Sequence, residues 1–530
     1  MVTSGLSYPE AHVRAVSSAD VVVGDLLVRN AADRPDEVFV TFEDGTAWTR
    51  AEGLAAARLA AAGLRRAGVG HGSRVALLMG NGPDFLRAWW GASLLGAVTF
   101  PVNTAFRGGS LARAIKLGSP TVVIADADLS GRLPALDIPR LDPAELRNGT
   151  ADPAVPGRTA ALWDDQFLLM TSGTTGPSKL VRISYLYPYA GYSSILASQG
   201  FGSDDTFLID LPLFHMAAVG YAYSCLVTGS RMHVRARPDL NRYWEVLRDH
   251  DITGCVLISS MVPVLLARPP REAERAHRMK FMLAAPVPTD VATFKERFRI
   301  PTLLTAWGST EMASPTIGEG MPGVAPGFCG TVRPGYEVRL VDADEQEVPP
   351  GTVGEGLVRA ARPYVMSSGY FDDDAATGRA WRHGWFHTGD LLRADASGDL
   401  HFVDRAGDAI RRRGENVSAF EVEQVLATFS GVAEAAVVPV RSETGVDHEI
   451  KAWVVGSPGA GIDWPKLLEH CVEHLPHFMV PRYFEAIAEL PKSPSAKVQK
   501  YLLRERGNGA STWDSVAHGL VVTRRGLERT

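Results

Sequence analysis

An apolar run, Phe167-Leu168-Leu169-Met170, leads directly into Thr171-Ser172-Gly173-Thr174-Thr175-Gly176-Pro177-Ser178-Lys179. The run has the length and composition of a buried strand. The turn after it is built of hydroxyl side chains, two glycines and a lysine. Glycine lets a backbone bend until its amides converge on an anion. Hydroxyls add donors without bulk, and Lys179 adds a mobile positive charge. This is the equipment of a loop that wraps the phosphates of a nucleotide. It is not a Walker A loop, because the Gly-x-x-x-x-Gly-Lys-Ser/Thr spacing is absent. Alone, such a turn would usually be a polar surface connection, so its meaning depends on its company.

Further blocks follow toward the C-terminus. Ala306-Trp307-Gly308-Ser309-Thr310-Glu311 comes after a strand-like run. Gly308 permits a tight turn, Trp307 offers a flat face to a base and Thr310 a hydroxyl. Glu311 is a carboxylate suited to Mg²⁺, a hard cation that binds oxygen. In Trp385-Phe386-His387-Thr388-Gly389-Asp390 an aspartate follows a tight Thr-Gly turn, where it can accept hydrogen bonds from both hydroxyls of a ribose. By itself Asp390 would more often be a helix cap. Leu211-Pro212-Leu213-Phe214-His215 says little on its own, since a histidine among apolar residues is usually a satisfied core group. Likewise Lys497, in Pro491-Lys492-Ser493-Pro494-Ser495-Ala496-Lys497, would ordinarily be a solvated loop lysine.

In this order, over about residues 167–500, the blocks resemble the adenylate-forming enzymes: acyl-CoA synthetases, aryl-CoA ligases, luciferases and peptide-synthetase adenylation domains. Bacterial acyl- or aryl-CoA ligases are the nearest in character. The resemblance implies a chemistry. A small-molecule carboxylic acid attacks the α-phosphorus of ATP, pyrophosphate leaves, and the acyl-AMP passes to a second acceptor, most often CoA. It also implies roles. Thr171, Ser172, Gly173, Thr174, Thr175, Gly176 and Lys179 would hold the phosphates of ATP. Ala285 and Pro286, in Leu283-Ala284-Ala285-Pro286, would lie along the adenine, with Trp307 stacked on it and Gly308 beside it. Asp390 would fix the ribose, and Arg405 would contact ribose or phosphate. Glu311 would hold Mg²⁺ and, with Thr310, His215 and Lys497, make up the catalytic set. His215 would stand at the wall of the acyl pocket, and Lys497 would reach across from the small domain. Gly407 falls on the hinge between domains.

Several positions depart from the family pattern. Tyr185 stands where a histidine is usual, Ala496 where the pattern has glycine and Lys500 where it has arginine. Gly407 replaces a charged hinge residue, though glycine accepts the unusual dihedrals a hinge needs. Arg411-Arg412-Arg413-Gly414 departs from a Gly-Gly pair, and the arginines could bind CoA phosphates or form a solvated face. These departures leave alternatives for the second step: nitrite-dependent diazotisation of an aminoaryl acid, or transfer to an amine. A catalytically silent nucleotide-binding protein is a further alternative. The acid pocket is expected near residues 215–221, 259–263 and 307–314, where Tyr221, Met261 and Met312 leave room for an aromatic or medium-chain acid.

The elements that must carry these blocks alternate. Helical spacing after Thr49, a candidate cap, runs through Leu54, Ala57, Ala61 and Leu64. Strand-like runs at 74–79, 121–125, 207–209, 232–234, 255–258, 281–283 and 302–304 are separated by helical segments. That alternation argues for an α/β fold with parallel sheets. From residue 330 to 403 short β-type runs sit between turns, and after 404 a compact α/β unit begins. The expected organisation is a large N-terminal domain (1–404) of two parallel-type sheets with helices and a β-rich subdomain (330–403). A small, mobile α+β domain (405–507) and a tail (508–530) of no assigned role follow. With 530 residues, 45% hydrophobic and 22% charged, the chain exceeds one ordinary core. The net charge of −6 is dispersed, without a basic stripe for nucleic acid or a segment for a membrane. Four scattered cysteines (Cys225, Cys255, Cys329, Cys471) have no metal-ligand spacing and suggest buried free thiols in a reducing compartment. A cytoplasmic monomer or homodimer is expected.

Overall fold

The computed structural model describes residues 16–529 except 136, 149–159, 172–178, 259–260, 267, 286, 289, 326, 406–408, 413–414, 443–447, 458–460, 492–497 and 499. The chain begins with α1 (Val23–Asp33), the hairpin β1 (Val38–Phe42) and β2 (Ala47–Thr49), and α2 (Arg50–Arg66). Thr49 does cap α2: its hydroxyl accepts from the Glu52 N–H (3.2 Å) while the Glu52 carboxylate accepts from the Thr49 N–H (2.8 Å).

A first sheet follows: β3 (Arg74–Leu78), β4 (Val98–Pro101), β5 (Val122–Ala125), β6 (Arg140–Leu141), β7 (Asp165–Thr171) and β8 (Lys179–Ser184). Their spatial order is β6-β5-β3-β4-β7-β8, parallel except for β8, which returns antiparallel to β7. Helices α3 (Pro83–Leu94), α4 (Gly108–Gly118) and the short α5 (Ala127–Ser130) connect the strands. The continuous apolar run of β7 has a simple cause. Phe167 and Leu169 pack into the core on one face and Leu168 into that on the other, so neither face meets water.

The chain then passes through α6 (Leu186–Pro188), a π-helical turn (Tyr189–Ser193) and α7 (Ser194–Ser198). The second sheet contains β9 (Thr206–Ile209), β10 (Arg231–Val234), β11 (Gly254–Ile258), β12 (Phe281–Ala285) and β13 (Thr302–Thr305), joined at its edge by β1 and β2. Between them lie α8 (Met216–Thr228), α9 (Tyr243–Asp249), α10 (Met261–Leu266) and α11 (Val291–Phe298).

The change of texture near residue 330 is not a break in hydrogen bonding. The strands β14 (Thr316–Glu319), β15 (Phe328–Val332), β16 (Tyr336–Val341), β17 (Val353–Ala360), β18 (Trp381–Arg382), β19 (Trp385–Ala394) and β20 (Leu400–Arg405) are antiparallel and extend the second sheet through β13. One helix, α12 (Asp374–Ala380), interrupts them.

After residue 408 come the hairpin β21 (Ala409–Arg412) and β22 (Glu415–Ser418), α13 (Ala419–Ala427), β23 (Val432–Arg441), β24 (His448–Gly456), α14 (Trp464–His474), β25 (Tyr483–Ala486) and α15 (Lys500–Arg506). The tail is not loose. β26 (Trp513–Asp514) pairs with β25, and the hairpin β27 (Leu520–Thr523) and β28 (Gly526–Arg529) puts Leu520 into the same apolar core as Ile450 and Leu467. Lys451, fully buried, donates to Glu485, which also accepts from Ser511 and Thr512 of the tail. All four cysteines are buried and unpaired with one another. No helix among the described residues is long and apolar enough to cross a membrane.

Candidate active site

The ends of the phosphate-type loop are fixed by a hairpin: Thr171 and Lys179 face each other across β7 and β8. Residues 172–178 lie outside the described residues. The strand β8 is in turn stitched to the antiparallel layer, since the Phe371 N–H donates to the Leu180 carbonyl (2.7 Å) and Val181 bridges Tyr370. This brings three groups together. The Lys179 ammonium sits 4.6 Å from the centroid of the Tyr370 ring, and the Tyr370 hydroxyl donates to Glu311 Oε1 (3.1 Å). A cation and a carboxylate thus flank one tyrosine at the base of the loop, close but not paired with each other. The donor set fits a nucleotide's phosphates. It also fits Mg²⁺, which is commonly held by one or two carboxylates together with phosphate oxygens. Among the described residues no cluster of three His, Cys, Asp or Glu gathers for a metal.

Glu311 belongs to a turn whose shape is dictated locally. A Cβ on Gly308 would lie 2.1 Å from the Ala313 carbonyl oxygen, so no larger residue fits there. The Ser309 N–H donates to that same oxygen (3.1 Å). Tyr187, fully buried, holds the other side: its hydroxyl donates to the Thr310 carbonyl (2.9 Å) and accepts from the Ala313 N–H (2.7 Å). Burial pushes the Tyr187 phenol well up, so it stays a hydroxyl. Arg333 adds a second brace by donating to the carbonyls of Gly191 (2.9 Å) and Ser314 (2.7 Å). The sequence did not single out Tyr187 or Arg333. Neither lies in a motif, and their partners are carbonyls over a hundred residues away or on the far side of a turn.

The Trp307 indole N–H donates to Asp390 Oδ2 (2.8 Å), and the Asp390 N–H donates to the Thr388 hydroxyl (3.0 Å). The two motifs therefore meet as neighbours although 83 residues separate them. Trp307 is only 5% exposed and packs with Met312, Phe386 and Leu392. Its ring N–H thereby orients the Asp390 carboxylate. Arg405 is the backbone neighbour of Asp390 across β19 and β20. Ala285 ends β12, half-buried, while Pro286 and Gly407 lie outside the described residues.

His215 precedes α8 and meets the small domain. Its Nε2 is 3.0 Å from Glu415 Oε2, at the start of β22. Burial would lower the imidazole pKa, but the facing carboxylate outweighs it and the pKa rises above its usual value. Burial would raise Glu415, and His215 first, then His477 and Arg524, hold it below the usual range. Lys497 lies outside the described residues. Its flanks belong to the small domain: Leu490 packs with Trp453 and Leu503, and Lys500 pairs with Glu423 of α13 (2.7 Å).

Two expectations change. Tyr185, the substitution nearest the loop, is 1% exposed in the core and does not reach the site; burial raises its phenol. Arg412 is buried too, paired with Glu449 (2.7 Å) and donating to the Val480 carbonyl (2.6 Å), which leaves it structural. Tyr221, Met261 and Met312 each pack in a different apolar cluster.

Residues 27–371 match a family model described as AMP-binding enzyme, and residues 421–497 match that of the AMP-binding enzyme C-terminal domain. A feruloyl-CoA synthase from an Amycolatopsis species is 31% identical, over 91% of this chain and 99% of its own length. A crotonobetaine/carnitine–CoA ligase from Salmonella arizonae is 28% identical, over 82% of this chain and 89% of its own. Among solved structures, a double mutant of the o-succinylbenzoate CoA synthetase from Bacillus subtilis, bound with its product analogue OSB-NCoA, overlays with a TM-score of 0.81 at 24% identity, covering 91% of this chain and 98% of that one. The same synthetase in complex with AMP overlays at 0.65 and 23% identity, covering 92% and 99%. These overlays bear on the fold.

Proposed function

Because the chain belongs to the AMP-binding enzyme family, we propose that it activates an aromatic carboxylic acid as acyl-AMP and passes the acyl group to CoA. The coarser statement stands on the relatives: the protein is an AMP-forming ligase of the acid–thiol type, using ATP and CoA. The aromatic class is our reading, supported by the feruloyl-CoA synthase likeness along nearly the whole chain. A medium-chain acid is the second reading. No observation among the described residues favours the diazotising, amine-transferring or silent alternatives, since Tyr185 lies away from the site. Four buried free thiols support a reducing, cytoplasmic setting.

The observation that carries the proposal is the convergence of Lys179, Tyr370 and Glu311 beside the Trp307–Asp390 pair. A carboxylate is a poor electrophile; attaching AMP turns one of its oxygens into a good leaving group. No protein nucleophile is needed, so the enzyme's work is to hold groups in line and stabilise negative charge. In this reading Lys179 and the loop 171–179 hold the β- and γ-phosphates, and Asp390, oriented by Trp307, accepts from the ribose hydroxyls. Lys497 contributes positive charge to the carboxylate and α-phosphate oxygens. Glu311 is the residue that would hold Mg²⁺, whose charge offsets that of the phosphates.

The arrangement seen suits the second step better than the first. It turns the β21–β22 hairpin, through Glu415, toward His215, while the neighbours of Lys497 pack within the small domain. The closer overlay on the CoA-analogue complex than on the AMP complex of the same synthetase supports this. A panel of aryl and alkyl acids, assayed for pyrophosphate and AMP with and without CoA, tests the proposal. Aryl acids should give AMP, pyrophosphate and a thioester in equal amounts. Release of ADP instead, or preference for alkyl acids, would reject it.

A further inference from the structure

β17 and β19 do not pair evenly. Glu355 faces Leu391 and Leu357 faces His387, so Gly356 alone stands opposite Thr388, Gly389 and Asp390. The Thr-Gly-Asp turn is therefore a β-bulge, a device that interrupts the ladder and re-aims the side chains of its strand. Gly389 takes the left-handed backbone conformation there, with a φ of 67°. A bulge takes amides away from their ladder partners, and each must find another acceptor.

Side chains supply those acceptors. The Thr388 hydroxyl donates to the Gly356 carbonyl (2.6 Å) and accepts from the Asp390 N–H (3.0 Å). The Gly389 N–H donates to Glu355 Oε1 (3.0 Å), so Glu355 fastens the middle of the bulge from the neighbouring strand. The other oxygen of that carboxylate, Oε2, lies 3.6 Å from Nδ1 of His387, whose buried ring stands behind it. Behind His387 comes Glu345, 3.8 Å from Nε2 and itself held by Arg382 (3.0 Å) and His383 (2.7 Å). The carboxylate of Glu355 thus has a wall at its back and the Gly389 amide in front. Trp307 closes the other side of the bulge: a Cβ on Gly356 would lie 3.0 Å from its ring, and its indole N–H donates to Asp390. Asp390 is held at two points, its carboxylate by Trp307 and its backbone by the fastened bulge.

We propose that Glu355 is a positioning residue for ribose recognition: by accepting from the Gly389 amide it fixes the bulge that aims the Asp390 carboxylate at the ribose hydroxyls of ATP. This rests on the reading that Asp390 accepts from those hydroxyls. Glu355 acts through the backbone, so what matters is where its acceptor oxygen stands and not its charge. A carboxylate one methylene shorter cannot keep the distance to Gly389, whereas an amide of the same length can.

The test titrates the full chain calorimetrically, in the presence of Mg²⁺, with ATP and with 2′,3′-dideoxyATP, which has the same base and phosphates but neither ribose hydroxyl. The ratio of the two Kd values reports the ribose contact, because charge effects on the phosphates cancel. Wild type should favour ATP by about tenfold or more, the scale of charge-assisted hydrogen bonds. Glu355→Asp keeps the charge and withdraws the acceptor. It should weaken ATP by about tenfold and leave 2′,3′-dideoxyATP within about twofold of wild type, so the ratio collapses. Glu355→Gln keeps the acceptor and drops the charge, and its ratio should stay within about twofold of wild type. Equal weakening of both nucleotides in Glu355→Asp would show a merely structural role and overturn the assignment. An unchanged ratio in that variant, or a collapsed one in Glu355→Gln, would overturn it too. If wild type itself failed to distinguish the two nucleotides, the ribose reading of Asp390 would fall and this inference with it; failure in the variants alone leaves that reading standing.

Discussion

The Trp307–Asp390 hydrogen bond and the His215–Glu415 pair are nearly the same length, 2.8 Å and 3.0 Å. Their surroundings differ. Trp307 and Asp390 are 5% and 3% exposed, inside one layer of the large domain. The side chains of His215 and Glu415 are 41% and 23% exposed and belong to two different domains. A buried hydrogen bond is expensive to break, because the group left behind loses both its partner and water. A half-exposed ion pair contributes about 0–1 kcal/mol and can be exchanged for water at little cost. The inner contact is therefore the costlier of the two to break.

The contrast can be broken in stages. The largest effect is expected for Lys497→Ala, which should lower ATP–pyrophosphate exchange by roughly a hundredfold or more, as when a charge-stabilising donor is removed. Thioester formation from preformed acyl-AMP should be spared; near-normal exchange would remove Lys497 from the first step. Next is Gly308→Ala. Its Cβ would press on the Ala313 carbonyl, shift Thr310 and Glu311, and cost about a hundredfold in exchange, the scale of a 1 Å misplacement. A crystal structure showing an unmoved turn would contradict this.

Trp307→Phe keeps the packing and deletes the donor to Asp390. It should raise the KM for ATP about tenfold, in line with roughly 1–3 kcal/mol for a buried group left short of a partner. Glu415→Gln removes the outer pair's charge and should slow the second half-reaction only a few-fold, measured by single-turnover thioester formation. pH gives the same pair a signature. The His215 pKa is raised, so its contribution is complete below its unperturbed value of 6.5 and is lost as pH rises through the folded value. The Glu415 pKa is lowered, so its share is present above 4.5 and is lost as pH falls through the folded value. Domain closure followed by inter-domain fluorescence transfer should therefore weaken on the alkaline side of the His215 pKa. A flat profile would show that the pair does not hold the domains. The smallest effect is expected for Tyr185→Phe, which should leave kcat and the choice of acceptor within about twofold, since an isosteric core exchange costs under about 1.5 kcal/mol. A changed acceptor would put this residue back at the site.

Much of the molecule was legible in the chain. The apolar runs of β3, β7, β9, β11 and β12 announced buried parallel strands, because strands covered on both faces have no polar side to show. The cap at Thr49 was visible because capping is local. The motif order pointed to the AMP-binding enzyme family. Less legible were contacts whose partners are carbonyls or distant side chains. Tyr187 and Arg333 brace the Gly308 turn through backbone oxygens that any sequence would carry. That Tyr221, Met261 and Met312 pack in three separate clusters was likewise not visible in the chain.

Residue types and their spacing thus determined the chemical groups on offer: a glycine- and hydroxyl-rich turn, the Glu311 carboxylate, an aspartate after a Thr-Gly turn and a loop lysine, all set on alternating strands and helices. Those properties are local, written in a few consecutive residues. Only the tertiary structure decided that Tyr370 stands between Lys179 and Glu311, that the tail completes the small domain, and that Arg524 arrives beside Arg107, 417 residues away in the chain. Contacts over such separations depend on how the layers pack and on which domain face turns inward. Packing is a property of the whole folded chain, and no short stretch of sequence carries it.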